Sequence, residues 1–219
     1  MLAYLHIKGV AYMRTLVIAS QKGGVGKTTL AGHLGVMAES QGEGPVALID
    51  TDPQGSLSSW WNERQAETPV FASVEITNLA DHLKMLEKSG IKLAIIDTPP
   101  AVTDTIRKVL AVADLVLIPT RPSPHDLRAV GSTVDMVEAA GKRMVFVLNG
   151  AAQRAKITGE AAIALSQHGT VAPVILYQRT DFAASMIDGR TAQEIDSNSR
   201  SSGEISELWK YVSAQLRKK

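Results

Sequence analysis

The run Lys22-Gly23-Gly24-Val25-Gly26-Lys27-Thr28-Thr29 constrains this chain more than any other stretch. It follows the apolar residues Leu16-Val17-Ile18-Ala19, which predict a buried strand, and it precedes a helical pattern beginning at Thr28. Strand, glycine-rich loop, then helix is the context in which such a loop holds phosphate. Glycines allow backbone angles closed to other residues, so successive N–H groups can turn inward on an anion, and the helix N-terminus adds positive potential behind them. Lys27 is placed to reach the outer phosphates of a nucleotide, and Thr28 to offer its hydroxyl to Mg²⁺.

The loop departs from the usual spacing at one position. Where a standard phosphate loop begins with glycine this chain has Gln21, and a second lysine, Lys22, stands at the loop entrance. Lys22 is too far back in the loop to duplicate Lys27. Its amine is therefore expected to serve a nucleotide that its own loop does not cradle, that of a facing subunit.

From this loop onward, apolar runs and helical patterns alternate. Helical spacing over Leu30, Leu34 and Met37 ends at Gly42 to Gly44, and Val46 to Ile49 form a second apolar run that ends at Asp50. A helix is expected over Leu57 to Arg64, a weak strand over 70–76, a helix over Leu79 to Lys88, and a strand over Lys92 to Ile96 ending at Asp97. A helix through Ile106, Val109 and Leu110 then leads to a strand at Leu115 to Ile118. The three prolines of Pro119-Thr120-Arg121-Pro122-Ser123-Pro124 predict irregular structure there. The rest alternates likewise: a helix through Leu127, Val130, Val134 and Val137, a strand at Met144 to Leu148, a helix near Thr158 to His168, a strand at Val171 to Ile175, and a final amphipathic helix through Ile205, Leu208, Trp209, Val212 and Leu216. Nearly continuous apolar strands separated by helices predict an α/β fold, a mostly parallel, twisted sheet with helices on both faces. Residues 1–12 read as an extension and 13–219 as one domain.

Composition removes several classes. The 219 residues contain no cysteine, which excludes disulfides, thiolate metal sites and iron–sulfur clusters. No apolar run is long enough to span a membrane, and the first residues lack the features of a signal peptide, so a cytoplasmic location is expected. The net charge is only +1, so any contact with nucleic acid has to come from a local patch. The five histidines have no metal-ligand spacing.

In open parallel sheets, ligands bind outside the carboxyl ends of the strands. That rule selects the phosphate loop, Asp50-Thr51-Asp52, Asp97-Thr98-Pro99-Pro100 and Asn149. Mg²⁺ prefers oxygen ligands and retains waters, so Thr28 with a strand-ending aspartate, Asp97 first and Asp50 second, is the expected protein share. Asp52 alternates with Asp50 along the extended chain and points elsewhere, towards the attacking water.

Four ordered motifs carry a resemblance. KGGVGKTT, the Asp50 to Leu57 stretch, IIDTPPA at Ile95 to Ala101, and Pro119 to Leu127 together resemble the deviant Walker A ATPases of the ParA/MinD group, with the short form similar to ParF-like partition ATPases. The resemblance implies a single-domain P-loop NTPase fold that uses ATP and Mg²⁺ and forms a homodimer when ATP is bound. It further implies nonspecific DNA binding on the nucleoid, and hydrolysis stimulated by a ParB-like or cargo-adaptor partner so that a plasmid, chromosome region or other cargo is positioned. By that pattern Lys22 is the lysine acting in trans, Lys27 the phosphate lysine, Asp52 the residue that orients water and Asp97 the Walker B carboxylate. Gly23, Gly24, Val25, Gly26, Thr28 and Thr29 complete the phosphate cradle, and Asn149, Gln178 and Arg179 fall where the family contacts adenine.

The candidate DNA residues, chosen by charge and family location, are Arg179, Arg190, Arg200, Arg217, Lys218 and Lys219. The competing reading is a MinD-like, ATP-switched membrane protein. The apolar stripe of the last helix beside Lys210, Arg217, Lys218 and Lys219 could lie on a lipid surface, though packing against the sheet requires the same stripe. Trp60 and Trp61 are expected in the core.

Overall fold

The structure is a computed structural model and describes residues 12–100 and 104–218. Residues 1–11, Ala101 to Thr103 and Lys219 lie outside the described residues, so most of the expected N-terminal extension, the last residue of IIDTPPA and one candidate DNA lysine are not placed.

Seven strands form one sheet: β1 (Arg14–Ile18), β2 (Val46–Asp50), β3 (Val70–Phe71), β4 (Leu93–Asp97), β5 (Leu115–Thr120), β6 (Met144–Ala151) and β7 (Thr170–Tyr177). Their order is β3-β2-β4-β1-β5-β6-β7, and every pairing is parallel. The interior strands are apolar on both faces because helices cover both. Leu16 and Ile18 of β1 face one core with α1 (Lys27–Ser40), α2 (Ser56–Asn62) and α9 (Arg200–Leu216). Val17 and Ala19 face the other, covered by α3 (Leu79–Lys88), α4 (Asp104–Ala111), α5 (Pro124–Ala139) and α6 (Lys156–Ser166).

The proline-rich segment corrects a sequence expectation. Pro119 and Thr120 belong to β5, opposite Val147 and Leu148. The Val116 N–H bonds towards β6, so by alternation the nitrogen of Pro119 points to the β1 side, where pairing has ended at Ile18 opposite Leu117. No ladder donor is lost there. Pro124 opens α5 at a position where its missing N–H is harmless, and the side chain of Ser123 caps that helix by accepting from the Asp126 N–H. Three further differences are local. The strand expected over 70–76 shrinks to Val70–Phe71, β6 continues through Asn149 to Ala151, and the segment after β7 holds two short helices that periodicity does not resolve, α7 (Thr180–Ser185) and α8 (Ala192–Ile195), with a 3₁₀ turn between them.

The last helix packs inward. Ile205, Leu208, Trp209, Val212 and Leu216 are all buried, against β7 and α1. The C-terminal carbonyls of α9 at Leu216 and Gln215 accept hydrogen bonds from Arg14 and Arg143, which satisfies groups a helix end otherwise leaves open. The stripe that could have faced lipid is thus spent on the core. No described helix is long and apolar enough to cross a membrane.

Candidate nucleotide-binding site

The chain leaves β1 towards β2 on one side and leaves β5 towards β6 on the other, which opens a crevice at the strands' carboxyl ends. A cleft of about 530 Å³ occupies that place. Its lining gathers Gly23, Gly24, Gly26, Lys27, Thr28 and Thr29 with Asp52, Asn149, Gln178 and Arg179, residues drawn from four separate stretches of sequence.

The loop's conformation depends on Gly26, whose φ of +92° is closed to other residues and whose missing side chain makes room for Asn149. An added Cβ would stand 2.3 Å from the Asn149 Nδ2. That amide donates to the Val25 carbonyl at 2.6 Å, so Asn149 braces the phosphate loop from β6 as well as lining the cleft. At the loop entrance Gln21 docks on α5: its backbone N–H donates to Thr133 and its side-chain oxygen accepts from the Ser132 hydroxyl at 2.8 Å. Lys22, the next residue, is exposed and lies outside the cleft.

Lys27 is buried in the loop, where its amine donates to the Lys22 carbonyl. Burial lowers its pKa, and the carboxylates of Asp97 and Asp52 oppose that shift. Asp97, 1% exposed at the end of β4, accepts from the Thr28 hydroxyl at 2.6 Å on one oxygen. Its other oxygen, Oδ1, is buried without a partner. Burial pushes this carboxyl up to about 7, Thr28 and Lys27 pulling the other way. An orphaned acceptor beside a threonine hydroxyl fits Mg²⁺ held through phosphate and water. No group of three or more His, Asp or Glu side chains able to hold an ion exists among the described residues, so an all-protein cage is not the arrangement here.

Asp50, the last residue of β2 and an expected metal residue, and Asp52 just after it have different surroundings. One Asp50 oxygen accepts the backbone N–H groups of Leu57 and Ser58, and the other accepts that of Asp52, each at 3.0 Å. The carboxylate is spent on capping the N-terminus of α2, which gains from a negative charge there. Asp52 is left facing the cleft.

Arg179 is held by Glu204, with Nε 3.0 Å from Oε1. The candidate DNA residues do not form one patch. Arg190 pairs with Asp188 at 2.6 Å and Arg217 with Glu43 at 2.8 Å. Arg200 opens α9 whereas Arg217 and Lys218 follow it, about 25 Å away along a 17-residue helix. Lys219 is outside the described residues.

Sequence reasoning did not single out Ser56, Arg121, Gly150, Tyr177 or Phe182 as site residues, yet all line the cleft, as does Pro100 of the strand-end stretch already selected. Arg121 follows the end of β5, so the strand-end rule applied to each strand would have found it. Phe182 sits on six-residue α7, which carries no periodic signal.

The family model described as the CobQ/CobB/MinD/ParA nucleotide binding domain matches residues 16–192. This chain belongs to that family. Among its relatives, "Maintenance of carboxysome distribution protein A" of Halothiobacillus neapolitanus is 29% identical over 201 residues, covering 87% of this chain and 91% of the relative. A protein ParA of Rhizobium radiobacter is 28% identical over 183 residues, covering 78% and 82%. Among solved structures, the septum site-determining protein MinD of Pyrococcus horikoshii complexed with Mg-ADP superposes with a TM-score of 0.77 at 17% identity, covering 92% of this chain and 96% of that one, a likeness of fold.

Proposed function

We propose that this ParA/MinD-family protein is an ATPase whose ATP-bound homodimer holds nonspecific DNA and positions a cargo, with hydrolysis as the release step stimulated by a partner protein. The observation that carries the reading is the division of labour between two lysines five residues apart: Lys27 buried in the phosphate cradle, Lys22 exposed outside it. An exposed cation at the mouth of an anion site suits a nucleotide carried by a facing copy. The Thr28 hydroxyl and, through water, Asp97 would hold Mg²⁺, which would supply positive charge against the phosphates. Lys27 and the loop N–H groups fix the phosphates, and Asp52 orients the attacking water. The names of two relatives, a carboxysome distribution protein and a ParA, favour cargo positioning as the use of such a switch. The burial of the α9 stripe favours DNA over lipid as the surface visited.

The test pairs light scattering for dimerisation with retention on DNA and pelleting with liposomes, each with and without ATP. Lys22→Ala is expected to bind ATP as wild type does while losing ATP-dependent dimerisation and DNA retention. Unchanged dimerisation and turnover in that variant would refute the two-lysine reading, and ATP-dependent liposome pelleting without DNA retention would overturn the choice of surface.

A further inference from the structure

His33 is a buried residue that the reading above does not use. It lies in α1, one turn after the phosphate-binding Thr28 and Thr29, and is 1% exposed. Its Nδ1 is 2.8 Å from the Thr29 carbonyl, and its Nε2 is 3.1 Å from the backbone N–H of Ala192. A carbonyl only accepts and an amide N–H only donates, so these two partners fix one neutral tautomer, with the proton on Nδ1. The ring also meets Phe182 edge to face, with centroids 5.3 Å apart.

The residues it grips belong to the segment Thr180 to Ile195, which leaves the end of β7 and folds back over α1 and α2. This arm puts Phe182 and Ala183 into the cleft. Its other clamp comes from α2 and the turn that follows it. Trp60 Nε1 donates to the Arg190 carbonyl at 3.1 Å, and Arg64, whose side chain is 2% exposed, donates to the Gly189 carbonyl at 2.6 Å and pairs with Glu194 at 2.8 Å. Gly189, at φ +75°, allows the approach, since a Cβ there would stand 2.4 Å from the Arg64 backbone nitrogen.

With the triphosphate on the loop, the nucleoside has to reach the far lining of the cleft, where Leu176, Tyr177 and Phe182 offer apolar faces and Gln178 an amide. We infer that His33 is a positioning residue for the nucleoside half of the ligand: it ties the arm to the first turn of the phosphate helix and so holds Phe182 and Ala183 as one wall of the base pocket. This rests on the nucleotide-binding reading above. It adds that phosphate and nucleoside recognition are joined through one buried imidazole.

Two calorimetric titrations separate the halves. Wild type is expected to bind both ATP and inorganic tripolyphosphate, and His33→Ala is expected to bind ATP about tenfold more weakly while its tripolyphosphate affinity stays within twofold. Equal losses for both ligands, or no loss for either, would overturn the assignment. Failure of wild type to bind either ligand would instead sink the nucleotide-binding reading. In unmutated protein, hydrogen exchange by NMR at the Ala192 amide is expected to slow severalfold on adding ATP and to stay unchanged on adding tripolyphosphate. An amide indifferent to both, in a protein that binds both, counts against the proposal even if the variant does not fold.

Discussion

At the residue scale, Asn149 and Gly26 act as a pair although four whole strands separate them along the chain. The glycine has no side chain so that the asparagine can reach the Val25 carbonyl, and the asparagine holds the loop whose backbone angles the glycine permits. Removing one hydrogen bond to a loop carbonyl costs roughly 1 kcal/mol, so Asn149→Ala is expected to weaken ATP binding about fivefold with little change in thermal midpoint, as titration calorimetry and a melting curve would read. The motif itself was legible because glycine, lysine and threonine at that spacing have few other uses. Asn149 was legible as a strand-end residue and a family position but not as a brace, since its bond to Val25 joins positions 124 apart in the chain.

At the element scale, Asp50 and Asp97 end parallel neighbouring strands in register, yet their surroundings give them different work. Asp97 is closed in by β1 and the phosphate helix and is left with a free oxygen. Asp50 meets the exposed N–H groups at the start of α2 and is consumed by them. Asp50→Ala is therefore expected to lower stability by about 1–2 kcal/mol, the usual worth of a helix cap, as chemical denaturation would measure. The Mg²⁺ concentration for half-maximal hydrolysis should rise far more in Asp97→Asn than in Asp50→Ala. Equal rises would return Asp50 to the metal. Sequence alone ranked Asp97 before Asp50 for the metal but could not see the cap, because the turn of α2 back onto β2 is set by the loop at Gly55, whose φ is +64°.

For the whole molecule, burial of titratable groups sets how stability depends on pH. Burial lowers the pKa of His33 from 6.5 to about 4, its bond to the Thr29 carbonyl opposing the shift. Below pH 6.5 the unfolded chain takes up this proton before the folded one does. His33 therefore removes stability as pH falls from 6.5 towards 4, up to about 3 kcal/mol. Asp97 has the opposite sign: with a folded pKa raised to about 7, it costs stability as pH rises from 3.8 towards 7. The two partly cancel in wild type. Denaturant midpoints between pH 4.5 and 6.5 are thus expected to fall more steeply on acidification in Asp97→Asn than in wild type. Parallel curves would show that Asp97 is not buried as described.

Sequence by itself determined the order of strands and helices, the phosphate loop and the strand-end rim, because each is written in local spacing, apolar runs and glycine positions. It also established that the last helix carries an apolar stripe. Tertiary structure alone decided where that stripe goes, that Pro119 can stay in a strand, that Asp50 caps a helix, that the candidate DNA arginines are scattered, and that Phe182 lines the cleft with His33 packed behind it. The physical reason is common to all five. Each depends on what a group meets from a distant part of the chain: a packed face, the place where a neighbouring strand ends, the start of the next helix, an ion-pair partner, or an arm that folds back over the phosphate helix.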